Sequence, residues 1–202
     1  MDLLVATGNP GKCREMRRLL SDLPVRILTL DDFPDAPEVI EDRETLEGNA
    51  AKKAAENAQF CGLHAVADDS GIFVDALDGG PGVRSARYAD GEPTTDNLCG
   101  KLLREMKGVP EEQRTAHFRC SIAMADPEGH TVLRAEGRCD GVITHEMAGE
   151  GGFGYDPVFY YEPAGRTFAQ MAPEEKNAVS HRGRALREFR RRFTEWLKGR
   201  TQ

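Results

Sequence analysis

The chain has 202 residues, 39% of them hydrophobic and 30% charged, which is typical of a folded globular protein rather than a disordered one. Its net charge of −7 argues against stable nucleic-acid binding, which requires a basic surface. The five cysteines are widely spaced without a CxxC pair, which argues against a disulfide framework and a structural zinc site. No apolar run approaches the roughly 20 residues of a membrane span, and residues 1–5 lack a secretory-signal pattern, so we expect a cytoplasmic protein without a membrane partner.

The first 60 residues alternate between strand and helix patterns. Residues 3–6 form a short apolar run that predicts a buried strand, and the following Thr7-Gly8-Asn9-Pro10 has the turn and capping chemistry that starts a helix. After that helix the sequence predicts a strand over 25–30, an acidic loop over 31–44 and a helix over 45–60.

The rest of the chain adds more strands than helices. The apolar residues 65–66 and 72–74 flank Asp68-Asp69-Ser70-Gly71, a pattern that predicts two strands joined by a tight turn. Further on, the sequence predicts a helix capped by Thr95, strands over 118–124, 131–138 and 158–161, a glycine-rich loop over 150–157, and a final amphipathic helix carrying Leu186, Phe189 and Phe193. We therefore expect a mixed sheet with flanking helices, in one domain over residues 1–202.

Two adjacent acids, Asp68 and Asp69, mark the first candidate site. Side by side at a strand end they repel each other and lose hydration, so they are a poor choice for stability. They suit a divalent cation, because Mg²⁺ takes one or two carboxylates together with phosphate oxygens. Ser70 adds a hydroxyl, and Gly71 lets a ligand approach the backbone. A polar hairpin turn explains the same residues.

A second candidate site combines a helix start with the acidic loop. Thr7, Gly8, Asn9, Pro10, Gly11 and Lys12 lie between a strand and a helix. A helix N-terminus with a nearby lysine binds anions, although this run lacks the P-loop pattern and is equally typical of a capped helix. Among the acids that follow, Glu38, Glu41 and Glu44 are candidates to complete the metal site, and Lys53 on the next helix is a candidate to face phosphate.

Two later clusters suit a flat, polar ring. Phe153, Gly154, Tyr155 and Asp156 combine aromatic side chains for stacking with a hydrogen-bond acceptor. Lys176, Ser180, His181 and Arg182 precede the last helix, where Ser180 is a good cap and the two residues after it can donate to a carbonyl oxygen. Core packing and a solvated helix start are the alternatives for these two clusters.

Together these clusters resemble the inosine triphosphate pyrophosphatase family, whose members remove non-standard purine nucleotides. The resemblance covers residues 3 to 198 and is closest to the bacterial members. The matching segments are Ala6-Thr7-Gly8-Asn9-Pro10-Gly11-Lys12 with Glu15; Glu41 with Thr45, Asn49, Ala50 and Lys53; Ala67-Asp68-Asp69-Ser70-Gly71 with Val74-Asp75-Ala76-Leu77; Pro81-Gly82-Val83 with Ser85-Ala86-Arg87-Tyr88; Gly151-Gly152-Phe153-Gly154-Tyr155-Asp156-Pro157; and Lys176 with Ser180-His181-Arg182-Gly183-Arg184-Ala185-Leu186. Their order and spacing make the resemblance specific.

The resemblance implies an α/β fold, in which an elongated mixed sheet with flanking helices forms two lobes around a central active-site cleft, and a homodimer. It implies Mg²⁺-dependent hydrolysis of ITP, dITP and XTP to the monophosphate and pyrophosphate. By matching position, Asp69 is the catalytic base and a metal ligand, with Glu41 and Asp68 as further ligands. The implied substrate contacts are Thr7, Gly8, Asn9, Pro10, Gly11, Lys12, Lys53, Ser70, Phe153, Gly154, Tyr155, Asp156, Lys176, Ser180, His181 and Arg182.

Base selection is expected at the purine 6-position. A 6-oxo group accepts hydrogen bonds from His181 and Arg182, whereas the adenine amino group leaves those donors unpaired in a dry pocket. Two alternatives stay open. One is a related pyrophosphatase for modified pyrimidine or methylated nucleotides, and the other is a nucleotide-binding module without catalysis.

Overall fold

The computed structural model describes residues 1–200, apart from the side chain of Pro10. Thr201 and Gln202, the end of the predicted domain 1–202, lie outside the described residues. The helices are α1 (Pro10–Leu20), α2 (Leu46–Cys61), α3 (Thr95–Glu105), α4 (Pro173–Val179) and α5 (His181–Gly199). The strands are β1 (Asp2–Val5), β2 (Arg26–Thr29), β3 (His64–Val74), β4 (Thr115–Ala125), β5 (Thr131–Ile143), β6 (Phe159–Tyr161) and β7 (Arg166–Thr167).

The strands form a mixed sheet in the order β2-β1-β3-β4-β5-β6-β7. At one end β1 runs parallel to both β2 and β3, with Leu4 opposite Leu28 and Ala65. At the other end β6 runs antiparallel to β5 and to β7. The α/β class with a mixed sheet and flanking helices is therefore confirmed. In the part of the chain that the structure describes, no helix is both long and apolar enough to cross a membrane.

The chain divides into two compact units. Unit 1 comprises Met1–Asp69, Cys120–Gly137 and, among the described residues, 184–200, and unit 2 comprises Ser70–Arg119 and Arg138–Gly183. The strands β3, β4 and β5 and the helix α5 each contribute residues to both units.

Unit 1 has an alanine-rich core beside its candidate site. Ala50, Ala54 and Ala58 recur every four residues along α2 and are fully buried with Ala65 and Ala67 of β3. Small side chains on both elements allow the helix and the strand to approach closely. This packing fixes the face of α2 that lies next to the buried strand.

Unit 2 has an aromatic core and two buried arginines, of which Arg114 connects two elements. Arg114 lies just before β4, and its Nε donates to the carbonyl of Ile143 at 2.7 Å. Its Nη2 donates to Thr144 O at 2.7 Å, and its Nη1 donates to Met106 O at 3.1 Å. The side chain thereby ties the end of α3 to the end of β5.

The predicted turn at Asp68-Asp69-Ser70-Gly71 is wrong. These residues lie inside β3, which is one continuous strand of 11 residues. The strand continues because both carboxylates have cationic partners in unit 1, so no turn is needed to expose them to water. Gly71 has a second role in unit 2, since a Cβ there would lie 2.2 Å from the carbonyl oxygen of Gly82.

Three element boundaries also differ from the sequence prediction. The cap of α3 is Thr94, whose hydroxyl accepts from the backbone amide of Asn97, and Thr95 is the first helical residue. The strand β5 continues past Arg138, the predicted end, to Ile143. The helix α4, which begins at Pro173 in a polar segment with little apolar periodicity, was not predicted.

We predict that Arg114→Met lowers the free energy of unfolding by about 3 kcal/mol, because it leaves several buried carbonyls without a donor. Urea denaturation measures this change. The control is Arg104→Met, whose side chain is 68% exposed, with an expected effect within about 0.5 kcal/mol. Equal effects of the two substitutions would contradict the conclusion that the hydrogen bonds of Arg114 connect the end of α3 to the end of β5.

Candidate functional site

The first group of site residues belongs to unit 1 and surrounds the two adjacent aspartates of β3, Asp68 and Asp69. Asp68 is 2% exposed, and its Oδ2 lies 2.9 Å from Nζ of Lys12 at the start of α1. The thiol of Cys120 on β4 lies 4.0 Å from the same oxygen. A buried carboxylate requires such a partner because desolvation of an unpaired charge is costly.

The neighbouring carboxylate, Asp69, faces α2. The side-chain amide of Asn49 donates to Oδ2 of Asp69 at 3.0 Å, and Nζ of Lys53 lies 3.8 Å from Oδ1. Asn49 and Lys53 are four residues apart on α2, so they share one face of that helix. The backbone amide of Arg43 donates to the side-chain oxygen Oδ1 of Asn49 at 2.9 Å. This bond orients the Asn49 side chain so that its amide nitrogen faces Asp69.

The acidic loop brings one of its three candidate glutamates to this group. Glu41 forms an ion pair with Lys53, the lysine that also faces Asp69. Lys52 holds the adjacent backbone by donating to Ile40 O at 2.9 Å. Glu38 and Glu44 are both exposed. The structure therefore links Glu41, the predicted ligand, to Asp69 through a shared lysine.

Burial dominates the electrostatics of Asp69. Desolvation raises the pKa of this carboxyl above its ordinary value, and the negative charge of Glu41 acts in the same direction. Lys53, the Asn49 hydrogen bond and Lys12 oppose the shift. The result is a carboxylate with a higher proton affinity than an exposed aspartate, which suits a general base working near neutral pH.

The donor set fits Mg²⁺ in its chemistry. Asp68, Asp69 and Glu41 offer hard carboxylate oxygens. Within residues 1–200, no group of three or more His, Cys, Asp or Glu side chains stands ready to hold a metal alone. Mg²⁺ usually keeps several waters and takes substrate phosphate oxygens, so one or two carboxylates suffice.

The start of α1 is capped from within its own sequence. Asn9 Oδ1 accepts from the amides of Gly11 and Lys12 at 2.9 and 3.1 Å, and Thr7 Oγ1 accepts from the Asn9 amide at 3.3 Å. These amides therefore satisfy the helix cap rather than facing outward as in an open anion site. The predicted contact of this turn with phosphate stays a prediction, with the Lys12 ammonium as its strongest group.

The second group of site residues belongs to unit 2 and is organised by Asp156. This buried carboxylate accepts from Nζ of Lys176 at 2.5 Å and from the amide of Phe153 at 2.8 Å. Gly152 has a φ of +76°, and a Cβ there would lie 2.1 Å from Oδ2 of Asp156. Asp156 thus closes the glycine-rich loop, and Gly152 is the residue that permits it.

Phe153 presents an aromatic surface flanked by cations. Its side chain is 41% exposed, although large apolar side chains usually lie in the core. Nζ of Lys176 lies 4.6 Å from the ring centroid, and the Arg182 guanidinium carbon lies 5.4 Å from it. An exposed ring with two positive groups suits stacking against a flat, electron-rich ligand.

The three predicted residues at the start of α5 lie in three different environments. Ser180 Oγ accepts from the amide of Gly183 at 3.1 Å, so its hydroxyl acts as the helix cap. The buried ring of His181 stacks on Phe118 with centroids 4.5 Å apart. Arg182 Nη2 donates to Ser70 Oγ at 2.9 Å. The structure thus joins Arg182 and Ser70, which are 112 residues apart in sequence.

Sequence reasoning missed the groups that hold the glycine-rich loop. Tyr155 is buried, and its hydroxyl donates to Ser85 O at 2.8 Å, so it anchors the loop to the core. The backbone of Gly154 is hydrogen-bonded to the side chains of Thr95 and Cys99 on α3. No spacing pattern links residues nearly 60 positions apart in sequence, and only the fold brings them together.

Comparison with known proteins decides the family. The model of the Ham1 family matches residues 3–192. This chain belongs to the Ham1 family.

Known relatives extend this Ham1 match over nearly the whole chain. A dITP/XTP pyrophosphatase of Geobacter sulfurreducens is 53% identical over 184 residues, covering 91% of this chain and 92% of the relative. One of Desulforamulus reducens is 50% identical over 189 residues, covering 93% of each. The solved structure of a HAM1 protein from Coxiella burnetii aligns with a TM-score of 0.90 at 38% identity, covering 96% of this chain and 99% of that one.

We predict that Asp69→Asn stabilises this Ham1-family chain at neutral pH in EDTA. The raised pKa means that the fold favours the protonated carboxyl, so the charged form costs folding free energy above that pKa. The gain in Tm should shrink as the pH falls through the raised pKa. It should vanish below pH 3.8, the ordinary pKa, because the carboxyl of Asp69 is then protonated in the folded and the unfolded chain.

Asp42→Asn is the matched control with the opposite sign. A hydrogen bond from Lys52 lowers the pKa of Asp42, so its charged form supports the fold above 3.8 and its removal should lower the Tm slightly. A lower Tm for Asp69→Asn than for the wild-type chain at neutral pH would contradict the dominance of burial at Asp69.

Proposed function

We propose that this Ham1-family chain hydrolyses the non-standard purine nucleoside triphosphates ITP, dITP and XTP to the nucleoside monophosphate and pyrophosphate. The reaction removes these nucleotides before they enter DNA or RNA. Relatives that are about half identical over more than 90% of the chain are named dITP/XTP pyrophosphatases. The observation that carries the proposal is the buried pair Asp68 and Asp69, each with a lysine ammonium nearby.

The residues of unit 1 suit attack on a triphosphate. We assign Asp69 as the base that orients or deprotonates the attacking water, because burial raises its proton affinity. Lys12 and Lys53 neutralise charge on the pyrophosphate leaving group. Both lysines pair with carboxylates, so triphosphate oxygens compete for ammonium groups that are already positioned.

We assign Mg²⁺ to Asp69 and Glu41, with Asp68 in support. The cation, when bound, supplies charge neutralisation at the phosphate oxygens. The chain's own residues hold and orient the groups around it, since Asn49 fixes Asp69 through a 3.0 Å hydrogen bond and Lys53 holds Glu41.

The residues of unit 2 suit recognition of a 6-oxopurine. Phe153 offers the stacking surface, and Lys176 and Arg182 lie against its ring. His181 and Arg182 are donors for a 6-oxo group, whereas the amino group of adenine is itself a donor and cannot accept from them. Asp156 accepts hydrogen bonds, but Lys176 and the Phe153 amide already use one of its oxygens.

We further propose a homodimer in the cytoplasm. The support is the resemblance of the motifs to a family whose members are usually homodimers, together with the absence of a spanning helix in residues 1–200.

The test is pyrophosphate release from ITP, XTP, dITP, GTP and ATP with Mg²⁺. We predict fast release from the first three only, with the monophosphate as the other product. GTP shares the 6-oxo group, so its slow release requires rejection at the 2-amino group of guanine. Asp69→Asn should lose at least about 100-fold in kcat, because the positioned base is gone, whereas the exposed Asp42→Asn should keep it.

Chelation of the metal should abolish turnover by the wild-type chain. Release of inorganic phosphate with a nucleoside diphosphate would contradict cleavage between the α- and β-phosphates. Equal turnover of all five triphosphates would contradict the base-recognition role of unit 2.

A further inference from the structure

Both backbone polar groups of one residue in the glycine-rich loop, Gly154, are hydrogen-bonded to side chains of α3. The amide of Gly154 donates to Oγ1 of Thr95 at 3.2 Å, and the thiol of Cys99 donates to the Gly154 carbonyl at 3.2 Å. Gly154 has a φ of +63° and therefore lies in the left-handed region. Since glycine has the widest backbone freedom of any residue, such a position needs outside contacts to stay in one conformation.

The two anchoring side chains are matched to this task by their places on α3. They are four residues apart, so they lie on one face of the helix. Thr94 provides the helix cap, which leaves the Thr95 hydroxyl available to the loop. Neither contact is part of the cap or of the helix's own hydrogen bonds.

Cys99 is suited to act as a constant donor. Its side chain is fully buried, and burial, together with the charges of Asp156 and Asp96, raises the pKa of the thiol to about 12. The thiol therefore keeps its proton throughout the neutral range. A protonated thiol donates to a carbonyl oxygen, whereas a thiolate would repel it.

Gly154 lies between the residue that carries the exposed ring and the residue that closes the loop. Phe153 precedes Gly154 and carries the exposed ring, and Asp156 follows two residues later and closes the loop onto Phe153. Rotation of the Gly154 peptide would turn the Phe153 ring relative to Lys176 and Arg182. The conformation of this one glycine thus sets the stacking surface.

We propose that Thr95 and Cys99 are positioning residues for purine recognition, which hold the Gly154 peptide so that Phe153 meets the base at a fixed angle. This inference rests on the proposed function and names residues of α3 as determinants of its specificity. Gly154 acts through its conformation, because its amide proton is donated to Thr95 and not to the nucleotide.

The test compares four variants by steady-state kinetics with dITP and ATP. Thr95→Val and Cys99→Ala each remove one hydrogen bond to Gly154, whereas Thr95→Ser keeps the hydroxyl acceptor and Cys99→Ser replaces the thiol donor with a hydroxyl donor. We expect the first two to raise KM for dITP by about 5- to 10-fold and to lower the preference for dITP over ATP, with kcat within about twofold, because one hydrogen bond at the binding loop is lost. The serine variants should restore both values in large part.

Thr94→Val is the matched control. It removes the cap of the same helix without touching the loop, so it should lower the Tm and leave KM and the dITP preference unchanged. If it shifts KM and preference as Thr95→Val does, then general destabilisation of α3 explains the effect and the inference is overturned.

Two further outcomes separate this inference from the proposed function. Normal dITP turnover with an unchanged KM and preference in Thr95→Val and Cys99→Ala would overturn the positioning role alone. Absence of dITP turnover in the wild-type chain would overturn the proposed function and this inference with it.

Discussion

The structure depends on keeping two adjacent carboxylates inside a β-strand. Asp68 and Asp69 are 2% and 6% exposed, and such burial is costly without compensation. Lys12 compensates the first, while Asn49 and Lys53 of α2 compensate the second. The alanine face of α2 brings that helix close enough for these contacts. The same helix thus supplies the core packing of unit 1 and the partners of Asp69.

Unit 2 also contains a buried carboxylate that needs partners, Asp156. A lysine and a backbone amide meet this buried carboxylate, and the glycine-rich loop closes over it. Here the charge serves to shape a loop instead of to activate water, because its oxygen is committed to partners within the unit. The contrast separates the role proposed for Asp69 in phosphate chemistry from the role of Asp156 in holding an aromatic surface.

Much of this arrangement could be predicted from the sequence. Local patterns sufficed for most strands and helices, and the order of the motifs identified the family. The turn expected at Asp68-Asp69 failed because local polarity cannot reveal partners such as Asn49, which lies 20 residues away. The roles of Thr95 and Cys99 also escaped prediction, since an i, i+4 pair on a helix has no signature for the distant peptide that it holds.

The central claim is that phosphate chemistry and base selection reside in separate sets of residues. The most direct measurement compares Lys53→Met and Arg182→Ala by kcat and KM for dITP and ATP. The account predicts that Lys53→Met lowers kcat for both nucleotides by the same factor and keeps the dITP preference, whereas Arg182→Ala lowers that preference. A loss of preference in Lys53→Met, or an unchanged preference in Arg182→Ala, would contradict the separation.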